Sequence, residues 1–238
     1  MKSFRKSTNR SERGNEVVEF AFVAIMFVPL ILGSFMVGMN IVKSIAVNHV
    51  VRDLNNMYIH GADFSASTYQ QLALRLASGV NLNAPVFPSG TGNVQANTGN
   101  TGDGLIWVTQ MMYVGTTTEP TCTAVGSNNC ANHDSFVYTQ RIVFGNSALL
   151  QQKQSTLGDA ASSTISSSGI VRNYVTDSGA RLPSAAQADM RGLWMNTQNG
   201  RQPLSDGQII YAVEGYFQSP SLAVGSTPAK GVYARYFF

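Results

Sequence analysis

From Phe20 to Val42 the chain runs for 23 residues without a charged side chain, FAFVAIMFVPLILGSFMVGMNIV. As a helix rising ~1.5 Å per residue, this segment is roughly 34 Å long, against a bilayer hydrocarbon core of about 30 Å. In lipid the backbone must satisfy its own hydrogen bonds, so a span there has to be helical. The segment predicts one tilted crossing of a membrane. It divides the sequence into a short leader and a large, polar body.

Charge sets the direction of that crossing. Residues 1–14 hold Lys2, Arg5, Lys6, Arg10 and Arg13 against Glu12, a net of +4; the whole chain is +3, so the remainder carries −1. A basic N-terminal flank predicts a cytoplasmic N-terminus and an extracytoplasmic body, as expected of a single-pass protein of a bacterial inner membrane. The basic character belongs to the leader alone, and the body offers no basic patch for nucleic acid, which is excluded as a partner. Only 12% of residues are charged, where roughly 25% is usual, and the body is rich in Ser, Thr, Asn, Gln and Gly, a composition suited to an extracytoplasmic surface.

Two simple explanations of the apolar run compete. A secretory signal peptide has an apolar region of about 7–15 residues followed by a small-residue cleavage site. This run is longer, and the following MNIVKSIAVNHV contains no A-x-A pattern. A plain single-span anchor fits the length, and an unprocessed chain would then be a membrane-anchored extracytoplasmic binding module. Neither explains two carboxylates, Glu16 and Glu19, at the head of the run, where a charge within a span costs on the order of 3 kcal/mol. An interfacial position accounts for Glu16.

Arg13-Gly14 followed by NEVVEF resembles the processing site of type IV prepilin-like proteins, and VVEFAFVAIMFVPLILG is similar to the N-terminus of TadE-like minor pseudopilins of the tight-adherence (Tad, or Flp) pilus. The resemblance covers residues 13–60 best. TQRIVFGN (Thr139 to Asn146) and LSDGQIIYAVEGYF (Leu204 to Phe217) look like strands of the same family's outer domain. The long polar middle departs from the pattern. The resemblance implies that a prepilin peptidase cuts after Gly14. Asn15 then becomes the first residue, Glu19 the fifth and Phe20 the sixth, and the apolar helix is retained. It further implies partners: the peptidase, other pilins or pseudopilins along the N-terminal helix, the inner-membrane pilus assembly platform and the bilayer. A major filament subunit is a further alternative, for which the outer part is large.

The glutamate also has a physical rationale. Cleavage would free an α-amine on Asn15, with an ordinary pKa of about 7.7–8.0. Glu19 lies one helical turn on, within reach of its own chain's amine or that of an axially offset neighbour. Either pairing lowers the penalty on a carboxylate near hydrocarbon, and the second would fix register during assembly. Pro29 removes one backbone donor and crowds the carbonyl of Ile25, so a kink is expected there. Gly33 follows one turn later. Ser34 and Gly38 form a small-xxx-small pair that permits close helix approach.

Beyond the span, Ile45, Val47, Val50, Val51, Leu54, Met57 and Tyr58 recur near helical spacing, with Asn48, Arg52, Asn55 and Asn56 on much of the opposite face. This predicts a stalk helix reaching about residue 60 whose apolar stripe packs on the outer domain. His49 and His60 are about three turns apart, too far for a shared metal. Residues 67–79 read as a helix with Ser67 as N-cap and Gly79 as its stop. Residues 85–104 are a Gly/Asn/Thr-rich loop.

Four strands are expected near residues 105–114, 136–144, 208–217 and 232–238, each rich in β-branched or aromatic residues. The first two flank CTAVGSNNC and should form an antiparallel hairpin. Cys122 and Cys130 within that loop are expected to form a disulfide in an oxidising compartment; a zinc site would need two further ligands. Residues 147–205 read as a polar surface insertion, with one short helix carrying Leu193, Trp194 and Met195. The fold class is α+β: a long transmembrane and stalk helix (residues 15–60), then a small antiparallel sheet domain with long polar loops (61–238), after a cleaved leader (1–14). The sequence contains no G-x-S-x-G, H-E-x-x-H, phosphate-binding loop or dinucleotide fingerprint. Asp103, Asp134, Asp159, Asp177, Asp189 and Asp206 sit in turn-like contexts. A structural part, not an enzyme, is expected, with no cofactor and no metal.

Overall fold

A computed structural model describes residues 10–80, 82, 102–160, 165–166, 168–196, 202–218 and 231–238. The first nine leader residues and positions 83–101 of the polar loop lie outside the described residues.

The element order is α1 (Arg10–Ile59), α2 (Ser67–Leu76), β1 (Gly104–Val114), α3 (Pro120–Val125), β2 (Ser135–Gly145), α4 (Ser184–Trp194), β3 (Ile209–Gln218) and β4 (Gly231–Phe237), with short 3-10 turns between. The chain divides into two units, Met1–Val42 and Lys43–Phe238. The first holds the apolar part of α1. The second contains the last turns of α1 and everything after them.

In the second unit four strands form one antiparallel sheet in the order β2-β1-β3-β4. Each lies within a residue of its expected position. The β1–β2 hairpin forms as expected, and its register slips between Gln110 and Met111, which pair with Gln140 and Tyr138 and skip Thr139. That bulge adds local twist to the longest pair of strands.

One face of the sheet is covered by the end of α1 and by α2. Val47, Val50, Val51, Leu54 and Tyr58 meet Ile106, Val108, Ile142, Phe144, Val213 and Phe217 in one cluster. The helical positions follow 3.6-residue spacing and the strand positions alternate, so each element contributes one apolar stripe. Gly215 permits the close approach. A Cβ there would come within 2.4 Å of Val51 Cγ2. Two details differ from the sequence reading. Ile45 is 52% exposed, whereas Asn55, expected on the polar face, is buried at 6%. The buried stripe thus takes in Asn55 and leaves out Ile45.

The start and end of α2 also differ. Ser67 is the first helical residue and Ala66 the N-cap, without a side-chain cap. The helix stops at Leu76, three residues before Gly79, because the chain tightens into a 3-10 turn over Ser78–Val80 that buries Val80.

The other face carries the largest difference. The described residues of the polar stretch 147–205 include a layer packed over the sheet and not a mere surface insertion. Leu149 is buried against Trp107 and Val143. Leu157, Ile165, Val171, Leu182, Ala186 and Met190 are buried with Met111, Phe136, Tyr138, Ile210 and Ala212. Trp194 and Met195 pack partly against this cluster, while Leu193 is 39% exposed. Sparse apolar residues at irregular spacing suffice because Ser, Thr and Asn side chains satisfy the intervening backbone turns.

Candidate functional site

The segment singled out by the sequence lies at the start of α1. Helix begins at Arg10, so Gly14, Asn15, Glu16, Glu19 and Phe20 all fall within it. Glu16 and Glu19 are exposed. The apolar residues behind them are exposed too: Phe20 at 74%, Phe22 at 69%, Met26 at 80%, Leu30 at 67% and Phe35 at 64%. Aromatic and aliphatic side chains bare on all sides of a helix call for an apolar surround, either lipid or other helices. Among the described residues this is the one helix long and apolar enough to cross a membrane.

Pro29 lies inside α1, and helix continues on both sides of it. Ser34 donates its hydroxyl to the Ile31 carbonyl at 2.9 Å, which satisfies the polar group within its own helix. A Cβ placed on Gly33 or Gly38 would meet nothing within 4 Å. Ser34 and Gly38, one turn apart, place two small residues on the same side of the helix.

The body holds a second constellation, which sequence reading did not anticipate. Arg141 of β2 and Glu214 of β3 point to the face away from α1, with side chains 2% and 0% exposed. Arg141 Nη1 lies 3.5 Å from Glu214 Oε2 and also donates to Thr109 Oγ1 on the intervening β1. Arg141 Nη2 donates to the Gly158 carbonyl at 2.6 Å and lies 3.2 Å from Asp159. Glu214 accepts from Ser155 Oγ, from Thr156 N at 2.9 Å, from Thr156 Oγ1 at 2.6 Å and from the Tyr233 hydroxyl. Burial alone would raise the Glu214 pKa, but Arg141 and the three hydroxyl donors outweigh it and hold the carboxyl below its ordinary range. Burial raises the Tyr233 hydroxyl, and the adjacent Glu214 charge adds to that.

Both charged side chains are sealed from solvent. The chemistry of the arrangement is that of a clip, which ties residues 155–159 to three strands. One signal could have found it: two strands, each apolar around a lone charge of opposite sign, TQRIVF and YAVEGYF, require those charges to find each other when both strands are buried.

The cysteine loop is held in a similar manner. Cys122 and Cys130 are joined, with Cα atoms 5.2 Å apart, and both are buried. The Asp206 carboxylate accepts from Gly115 N and Thr121 N, each at 2.8 Å. Burial pushes its pKa up, but those backbone donors prevail and lower it. Asp177 caps the turn at Gly179. Nearby, Asp134 accepts from Tyr113 at 2.7 Å and pairs with Arg191 at 3.1 Å. Burial and that hydrogen bond push the Tyr113 hydroxyl up to about 12. His49 and His60 are exposed and separate. Among the described residues, no three His, Cys, Asp or Glu side chains gather in a group that could hold a metal.

Comparison with family models, with curated proteins and with solved structures returns no match.

Proposed function

We propose that this chain is a minor pseudopilin of a Tad-type pilus: a structural part, made as a precursor in a bacterial inner membrane and processed by a prepilin peptidase between Gly14 and Asn15. The observation that carries the reading is the order of residues at the head of α1. A basic leader ends in Gly14, Glu19 follows at the fifth position after it, and the uncharged helix Phe20–Val42 begins at once.

In this reading the leader keeps the N-terminus in the cytoplasm and the peptidase removes it. The new amine of Asn15 then meets a Glu19 carboxylate, that of a neighbouring subunit during assembly. The exposed helix supplies the surface by which subunits pack, and the small pair Ser34 and Gly38 lets backbones approach. The outer unit would stand on the extracytoplasmic side, where a disulfide persists. Its buried clip and sealed hairpin loop suit a rigid part better than a catalyst.

Two substitutions test the roles separately. Gly14→Ala is expected to block cleavage while membrane insertion persists. Glu19→Ala is expected to leave cleavage largely intact and to impair pilus assembly. Normal assembly by Glu19→Ala would remove the intermolecular pairing from the account.

A further inference from the structure

Packing inside the second unit fixes the direction of α2. Phe64, just before α2, lies beside Tyr58 near the end of α1, with ring centroids 5.8 Å apart. Ala77 and Val80, just after α2, are buried in one cluster with Val47, and Gly79 and Val80 line a cleft with Lys43 and Val47. So α2 runs back toward the Lys43 end of the unit and stops there. Lys43 opens the folded unit and directly follows Val42, the last residue of the uncharged run. No linker separates the two. Where that run crosses a bilayer, the headgroup layer extends about 5–7 Å beyond the hydrocarbon. Lys43 to Val47 is about 6 Å of helix, so the cleft they share with Gly79 and Val80 lies at headgroup depth.

The surface at this end suits that depth. Leu72 and Leu76, one turn apart on α2, are 42% and 41% exposed, and Ile45 is 52% exposed. Arg75, in the last turn of α2, is exposed beside them. Charge is distributed unevenly along the unit. Lys43, Arg75 and Lys153 stand at this end with Asp103; Lys153 lies over Tyr233, which pairs through Tyr216 with Leu105 at the start of β1. At the other end Asp63 follows α1, Glu119 and Asp206 bond the turn after β1, and Asp134 and Asp177 lie beside the start of β2. There they outnumber Arg181 and Arg191. Among the described residues the unit is thus positive toward Lys43 and negative away from it. A lipid surface potential acts on net charge, so contacts these cations make within the protein do not cancel the attraction.

We propose that the Lys43 end of the folded unit rests on an anionic lipid surface: Ile45, Leu72 and Leu76 enter the headgroup layer, and Arg75, with Lys43 and Lys153, faces lipid phosphates. Apolar side chains supply the insertion and the cations its preference for anionic lipid, as in other interfacial helices. The inference rests on the reading that residues 20–42 cross a membrane, and is independent of cleavage and of pilus assembly.

The test uses the full chain in phosphatidylcholine vesicles that contain phosphatidylglycerol. Cys122 and Cys130 are joined and the sequence has no other cysteine, so one introduced cysteine carries one nitroxide label. Collision with oxygen, which concentrates in lipid, against collision with a water-soluble nickel complex reads the depth of the label. Val37→Cys is expected in the hydrocarbon, Leu76→Cys in the headgroup layer and Asp63→Cys in water. Adding Arg75→Glu to Leu76→Cys should raise nickel collision about two-fold, and so should omitting phosphatidylglycerol. A Leu76→Cys label in water while Val37→Cys is in lipid would overturn the inference and leave the span standing. A Val37→Cys label in water would overturn the span, and the inference with it. Shielding of Leu76→Cys that vanishes as the chain is diluted with lipid would mean that another subunit covers this face, and a depth indifferent to both Arg75→Glu and phosphatidylglycerol would mean that charge has no part in it; either result rejects the proposal.

Discussion

Arg141 Nη1 and Glu214 Oε2 lie 3.5 Å apart on the sheet face away from α1, with β1 between their strands and residues 155–159 lying over them. Neither side chain reaches solvent. The pair is the point at which a polar, irregular stretch of chain is fastened to a regular sheet.

Removing one partner leaves the other charge buried and uncompensated, which costs about 3–5 kcal/mol. Glu214→Ala and Arg141→Ala are each expected to lower stability by that order, read as a fall in the urea midpoint of the unit Lys43–Phe238 in the full chain. The double variant Arg141→Met/Glu214→Leu should lose much less than the sum of the two single losses, because no charge is then stranded.

Acid should weaken the fold through its carboxyls with depressed pKa values, of which Asp134 is one. Glu214 and Asp206 both have pKa values lowered in the folded state. A carboxyl with a depressed folded pKa contributes stability above its unfolded pKa, about 4, and loses it as pH falls through the folded value. The melting temperature is expected to be flat on this account between about pH 5 and 7 and to fall below about pH 4. Asp206→Asn should flatten part of that fall while lowering the neutral-pH melting temperature.

Gly215 faces Val51 at a distance no side chain tolerates. Gly215→Ala must push a stiff, β-branched neighbour and its helix away from the sheet, at about 1–3 kcal/mol. Pairing it with Val51→Ala should recover part of the loss, measured as a coupling in a double-mutant cycle.

The disulfide closes a short loop beside the end of β1. Loop-closure entropy for a ring of this size corresponds to about 2–3 kcal/mol. Cys122→Ser/Cys130→Ser is expected to lower stability by that amount, and reductant should do the same to the unsubstituted chain.

The four strands and the stalk stripe were legible because alternation and 3.6-residue spacing are local properties of the sequence; Val47, Val50, Val51 and Leu54 announce a buried face before any partner is known. Asn55 was misplaced because the width of that face is set by the sheet it meets. Residues 147–205 were not legible as a core layer. Leu157, Ile165, Val171 and Met190 have no common period, and the stretch is fastened by Arg141 and Glu214, which lie on strands outside it. The fold has no bearing on the segment around Gly14 and Glu19: under the proposed function its chemistry would be read by another protein in linear order.

The central claim concerns a single peptide bond. Intact-mass analysis with N-terminal sequencing of the protein, isolated from the membranes or pili of its native host, locates the first residue directly. The account predicts that the mature chain begins at Asn15, with residues 1–14 gone and the apolar helix retained. A mature chain that still begins at Met1 or Lys2 contradicts it and leaves a folded domain on an unprocessed apolar helix.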